Sequence, residues 1–216
     1  MNSSPLVLCL TNTVASNFTA NVLLAIGAKP AMMSDPGEAA ELAAMSSAVL
    51  INVGTVDAFQ ADAMRATIAV CNERHIPWVL DPVAAHLLTY RQQLVIEFLA
   101  LKPAILRGNH AEITHFLGSV PQSTAVLSTG EIDRIYADGQ VEELSGGVEM
   151  LTRVTATGCA QGAICAALLG WGQTPPTACK SASKLMKAAG SLAFERAPTP
   201  GSFQIALLDA LYTLNQ

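Results

Sequence analysis

Charge is scarce in this sequence. Only 13% of its 216 residues are Asp, Glu, Lys or Arg, and no two basic residues are adjacent. With a net charge of −5, there is no basic stripe to track a phosphate backbone, which excludes a nucleic-acid-binding reading. No apolar stretch reaches the roughly 18 residues needed to cross a bilayer. The start, Met1-Asn2-Ser3-Ser4, lacks the charged region of a secretory leader. Cysteine is sparse and scattered: Cys9, Cys71, Cys159, Cys165 and Cys179, with no C-x-x-C pair. That pattern argues against a disulfide framework or a zinc site and makes a reducing cytoplasm the expected compartment. The four histidines offer no metal-binding spacing, since His110 and His115 are five apart. Neither G-x-S-x-G, a Walker A loop nor G-x-G-x-x-G occurs, so hydrolase, P-loop and Rossmann readings lose their usual support.

What remains is strongly apolar. Hydrophobic residues make up 51% of the chain, enough for one large α/β core, with an excess suited to covering a subunit interface. Short apolar runs alternate with helical stretches. Strands are expected at Leu6 to Leu10, Ala48 to Val53, Trp78 to Leu80, Ala104 to Leu106 and Ala125 to Leu127. Helices are expected at Asn17 to Ile26, from Asp35-Pro36-Gly37 onward, at Ala58 to Arg74, at Gln92 to Leu101, and from Asn109 through Phe116. Asp133 to Ala137 and Gln140 to Leu144 flank Asp138-Gly139, a two-residue hairpin signal. Three helices close the chain, at Gly158 to Leu169, Thr177 to Glu195 and Phe203 to Leu214. This alternation implies an α/β fold: a mostly parallel sheet built from right-handed βαβ crossovers, with helices on both faces.

Ligands of such sheets bind at the carboxyl ends of the strands. Four polar clusters fall there: Thr11-Asn12, Asp81, Arg107-Gly108-Asn109 with Glu112, and Thr129-Gly130-Glu131. Thr155-Ala156-Thr157-Gly158-Cys159-Ala160 is a small-residue turn leading into an apolar helix. Its free N–H groups and the helix dipole would bind an anion such as a phosphoryl group. Cys159 in that first turn would have a lowered pKa, making it a candidate base for a substrate hydroxyl. It reads equally as a small core cysteine in a tight turn. Asn109 and Glu112 could share a Mg²⁺ ion, directly or through water, or form only a capping box. Asp81 could hold Mg²⁺ or simply turn the chain. Arg107 could reach nucleotide phosphates or make a surface ion pair. Thr129 and Gly130 could touch phosphate or ribose, or form an ordinary turn. Asn12 could bind substrate or cap the next helix.

The ordered segments Leu10-Thr11-Asn12, Leu23-Leu24-Ala25-Ile26-Gly27-Ala28-Lys29-Pro30-Ala31-Met32, Leu50-Ile51-Asn52-Val53-Gly54-Thr55, Leu80-Asp81-Pro82-Val83, Arg107-Gly108-Asn109-His110-Ala111-Glu112-Ile113, Ser128-Thr129-Gly130-Glu131, Thr157-Gly158-Cys159-Ala160 and Pro200-Gly201-Ser202-Phe203 resemble the hydroxyethylthiazole kinases of thiamine biosynthesis and salvage. The resemblance runs over nearly the whole chain. It implies one ribokinase-like kinase domain over 1–216, a homotrimer with pockets between subunits, and transfer of the ATP γ-phosphoryl group to 4-methyl-5-(2-hydroxyethyl)thiazole. Carried over by position, Met32 lines the thiazole pocket with Asn12 nearby, and Arg107, Thr129 and Gly130 contact ATP. Asp81, Asn109 and Glu112 organise Mg²⁺. Cys159 stands where related sugar kinases place an aspartate base, and Gly158 forms part of the anion hole beside Ala156 at the substrate turn. A kinase for another small hydroxymethyl heterocycle, or a non-catalytic thiazole-binding or nucleotide-binding member, are the competing readings.

The sequence also departs from that pattern. Ala156 replaces a usual glycine, and a position there with φ > 0 would strain it. His86 and Leu87 replace a glycine and a small residue, and Leu8 a histidine. The family's first helix looks absent before Leu6. Gly118 to Thr124 is short where a further loop and helix are usual, so core beneath it is expected to be exposed.

Overall fold

The computed structural model describes residues 4–215; the tripeptide Met1–Ser3, read above for a leader, lies outside them. The elements alternate as β1 (Leu6–Leu10), α1 (Ser16–Ala25), β2 (Lys29–Met32), α2 (Pro36–Ala43), β3 (Ala48–Asn52), α3 (Ala58–Arg74), β4 (Trp78–Asp81), α4 (Thr89–Ala100), β5 (Ile105–Asn109), α5 (His110–Phe116) and β6 (Ala125–Thr129). The hairpin β7 (Asp133–Ala137) and β8 (Gln140–Leu144) follows, then α6 (Thr157–Gly170), α7 (Pro175–Arg196) and α8 (Pro200–Leu214).

Local chemistry sets many of these boundaries. Asp35 accepts the N–H groups of Gly37 and Glu38 to start α2. Asp57 and Gln60 form a capping box at α3. Asp138 and Gly139 both have positive φ, 51° and 75°, which is the type I′ turn that matches strand twist. Strand β2 was not anticipated, because Lys29-Pro30-Ala31-Met32 is short and carries a proline. It is the terminal strand of the sheet, and an edge tolerates a residue without an N–H.

The eight strands form one sheet in the order β2-β1-β3-β4-β5-β6-β7-β8. Pairing is parallel from β2 through β6 and antiparallel only for β6–β7 and β7–β8. Side chains alternate between two buried layers. Val7, Cys9, Ala48 and Leu50 face the layer that holds α1, α6, α7 and α8 residues, such as Val22, Ile164, Ala182 and Phe203. Leu8, Leu10, Val49 and Ile51 face the layer of α2 to α5, with Ala39, Ile68, Phe98 and Phe116.

The short connection after α5 does not leave the core bare, contrary to the expectation drawn from its length. Val126 of β6 is 2% exposed, in the same buried layer as Phe116. Val120 and Tyr136 pack against that layer. No helix among the described residues is long and apolar enough to cross a membrane.

Candidate active site

Every parallel strand points its carboxyl end the same way, so β1, β3, β4, β5 and β6 deliver their last residues to one rim. A buried polar row runs across it. Asn12 Nδ2 donates to Asn52 Oδ1 at 3.1 Å and lies 3.2 Å from Cys159 Sγ. Asn52 Nδ2 donates to Asp81 Oδ2 at 3.1 Å. Arg107 Nη1 stands 3.7 Å from the same Asp81 oxygen. Arg107 Nη2 donates to Thr129 Oγ1 at 2.9 Å and to Gln161 Oε1 at 3.1 Å. The carboxyl ends of five strands and the first turns of α6 are thereby tied into one network.

Arg107 is 7% exposed, so it does not make the surface ion pair that was the alternative. Its Nε is buried without a hydrogen-bond partner. Asp81 is fully buried, and its Oδ1 also lacks a partner. Burial pushes its carboxyl up to about 7. The Glu112 charge adds to the shift, while Arg107, Asn52 and the Val83 N–H oppose it.

The Cys159 thiol behaves opposite to the expectation of a lowered pKa. Burial first, and the neighbouring Asp81 carboxylate second, push it above its ordinary value. Hydrogen bonding from Asn52 and Asn12 and the Arg107 charge pull the other way and lose. The helix N-terminus that was to activate it is outweighed by desolvation.

Asn109 and Glu112 do form the capping box. Asn109 Oδ1 accepts the Glu112 N–H at 2.9 Å, and Glu112 Oε2 accepts the Asn109 N–H at 2.8 Å. The other carboxylate oxygen reaches out of the helix to accept the Ala84 N–H at 2.8 Å. Glu112 therefore also fixes the loop after Asp81, where Ala84 has a left-handed φ of 54°. Among the described residues no three His, Cys, Asp or Glu side chains are grouped to hold a metal on their own.

Beside this row lies a cavity of about 710 Å³, within the usual range for small-ligand sites. Arg107, Asn109, Thr129, Gly130 and Gly158 all line it. Asn12, Asp81 and Cys159 belong to the polar row and do not line the cavity, and Glu112 holds the lining residue Asn109 through the capping box. Met32 does not line the cavity; it is half-buried on edge strand β2, paired with Cys9 of β1, the strand that leads to Asn12. Ala156 occupies φ +70°, ψ −5° immediately before α6. The left-handed geometry foreseen for this turn is present, in a residue whose β-carbon disfavours it.

Four participants were not singled out from sequence. Asn52 had a legible signal, a polar residue ending the apolar run of β3. Gln161 lies one turn beyond Thr157-Gly158, on the same helix face. Asp133 and Lys187 line the far wall of the cavity and had none. A lysine inside a 22-residue helix reads as a solvated side chain, and only tertiary packing brings it to the cavity.

Relatives supply the context for this geometry. A model of the hydroxyethylthiazole kinase family matches residues 1–124 and 119–216, in two pieces that meet at the short connection. The hydroxyethylthiazole kinase of Salmonella paratyphi B is 42% identical over 236 residues, covering 98% of this chain and 89% of the relative. The solved structure of a hydroxyethylthiazole kinase protein from Pyrococcus horikoshii OT3 superposes with a TM-score of 0.92 at 36% identity, covering 98% of this chain and 89% of that one. A ribokinase-like superfamily protein from Enterococcus faecalis V583, at 12% identity and a TM-score of 0.70 over 98% of this chain and 88% of that one, shares the fold alone. Sequence identity and backbone shape thus agree over nearly the full length: the chain belongs to the hydroxyethylthiazole kinase family.

Proposed function

We propose that this protein transfers the γ-phosphoryl group of ATP to the hydroxyl of 4-methyl-5-(2-hydroxyethyl)thiazole, giving the thiazole phosphate used in thiamine synthesis. The observation that carries the reading is the junction at Gly158. There the N-terminus of α6 and the buried Arg107 guanidinium meet between the cavity and the Asn12–Cys159 pair. The nucleotide occupies the cavity, with Arg107, Thr129 and Gly130 against its phosphates. The acceptor alcohol approaches from the Asn12 side, near Met32 and Ala156. The phosphoryl group passes over the N–H groups of the first turn of α6, where dipole and cation both favour negative charge. Catalysis is then mostly positioning and charge stabilisation, as phosphoryl transfer requires.

The residues present fit a divalent cation. Asp81 Oδ1 is a buried acceptor without a partner, and the Glu112 carboxylate is held rigidly by two backbone N–H groups. Asp81, Asn109 and Glu112 would hold Mg²⁺ directly or through water. When bound, the ion supplies charge neutralisation on the phosphate oxygens. Cys159, paired with Asn12, would take the proton of the acceptor hydroxyl as its thiolate. Burial leaves little of the accepting thiolate at neutral pH, which a loose transition state tolerates because it needs little prior deprotonation.

A non-catalytic role rests on Ala156, His86 and the short connection after α5. Holding alanine in the left-handed region costs about 1–2 kcal/mol, yet the turn still leads directly into α6. The direct test uses ATP labelled at the γ-phosphorus. Label appearing in the thiazole phosphate supports the reading. Label released only as inorganic phosphate, or retained in ATP, rejects it.

A further inference from the structure

The far wall of the cavity is made by two loops with little structure of their own. One is the β6–β7 turn, Gly130 to Ile132; the other follows β8 and contains Gly146 and Gly147 at φ +98° and +82°. Both converge on a single buried cation. Lys187 of α7 is 9% exposed, and its Nζ donates to Gly146 O at 2.9 Å, Glu131 O at 3.1 Å and Gly130 O at 3.4 Å. Asp133 Oδ1 completes the shell at 3.4 Å. Asp133 is itself fixed, accepting the Gly130 N–H at 3.0 Å and the Ser183 hydroxyl at 2.6 Å. The lysine stem runs beneath Gly147, where an added β-carbon would stand 3.1 Å from Lys187 Cγ.

Three backbone carbonyls and one carboxylate around a point charge form the oxygen shell that a dehydrated monovalent cation takes. An ammonium on a flexible stem is the side-chain version of that ion. We propose that Lys187 is a tethered cation that takes the place of an exchangeable monovalent ion and, as a positioning residue, holds both loops in the shape that receives the nucleotide. This rests on the kinase reading above only for the identity of the nucleotide. The loops carry unpaired carbonyl oxygens once the ammonium is gone, so they would splay apart and the wall would be lost.

A cation cage responds to added monovalent ions, as simple structural damage would not. Lys187→Ala leaves a hole lined by four oxygens, which K⁺ or NH₄⁺ can enter. Lys187→Met keeps the stem under Gly147 but fills the cage with an uncharged methyl group. Both variants are expected to raise the KM for ATP by about tenfold or more while the KM for the thiazole changes little. Adding KCl or NH₄Cl in place of choline chloride should restore the ATP KM of the Ala variant, and should leave the Met variant and the parent unmoved. Melting temperature in the same salts gives a readout independent of turnover: K⁺ should raise it in Lys187→Ala alone. If the parent shows no phosphoryl transfer, the kinase reading fails and the melting comparison still decides this proposal. Ala-variant melting and ATP KM that ignore the cation, or a Met variant whose ATP KM matches the parent's, overturn it.

Discussion

Gly158 lies against Arg107 so closely that a β-carbon on the glycine would stand 2.8 Å from Nη1 and 3.0 Å from Nη2 of the guanidinium. The guanidinium cannot simply swing away, because Thr129 and Gln161 hold Nη2 and Asp81 lies beyond Nη1. The contact is what lets a helix N-terminus and a buried cation address the same phosphoryl group. Gly158→Ala should therefore displace Arg107 and raise the KM for ATP by about tenfold, since small misplacements at such sites carry large kinetic penalties. Steady-state kinetics with varied ATP checks this; an unchanged KM would show that Arg107 does not face the nucleotide.

The Cys159 thiol is raised by burial and by Asp81, so the thiolate fraction grows with pH through and beyond the neutral range. If Cys159 accepts the hydroxyl proton, kcat should climb steadily from pH 7 to pH 9 without a plateau. Cys159→Asp should keep part of the activity and flatten that rise, because a carboxylate is already ionised there. Cys159→Ala should lower turnover and leave ATP binding nearly intact. A parent profile as flat as that of the aspartate variant would remove the thiol from proton transfer.

Asp81 has its folded-state pKa raised from 3.8 to about 7. The native protein holds this proton where the unfolded chain has released it. The stabilising contribution is thus fully present below about pH 4 and is lost as pH rises through 7. Asp81→Asn does not titrate, so the stability of the variant minus that of the parent should increase between pH 4 and pH 7 and then level off. Urea unfolding of both proteins across that range measures the difference, in which the other titrating groups cancel. A difference independent of pH would mean that Asp81 ionises normally.

Ala156 at φ +70° stores strain that glycine would relieve. Ala156→Gly should stabilise the fold by about 0.5–1 kcal/mol after allowing for glycine's larger unfolded-state entropy. That corresponds to a rise of about 1–4 °C in melting temperature for a chain of this size. Calorimetry showing a drop would locate the strain elsewhere in the turn.

Glu112 satisfies two backbone N–H groups with its two carboxylate oxygens. Glu112→Gln turns one acceptor into a donor that must face an N–H, and the loss should be about 1–3 kcal/mol of stability. The Mg²⁺ concentration needed for half-maximal turnover should also increase. Identical Mg²⁺ demand would reduce Glu112 to a cap and loop anchor.

Much of this was readable in the chain because local rules govern it. The helix Ala58–Arg74 and the hairpin at Asp138-Gly139 appear as their capping and turn residues specify. The positions Asp81, Arg107, Asn109 and Thr129 were visible as polar residues ending apolar strands. The rest depends on tertiary contact. Strand β2 exists because an edge accepts Pro30. The raised thiol of Cys159 reflects burial that no sequence window reports. Lys187 reaches the cavity through the packing of α7 against the β6–β7 turn, across 57 residues of sequence from Gly130.

The most direct measurement is ADP release from purified protein given MgATP, with and without 4-methyl-5-(2-hydroxyethyl)thiazole and with a neutral alcohol as control. Thiazole-dependent ADP release is the predicted result. Folded protein that binds the thiazole yet releases no ADP would contradict the account.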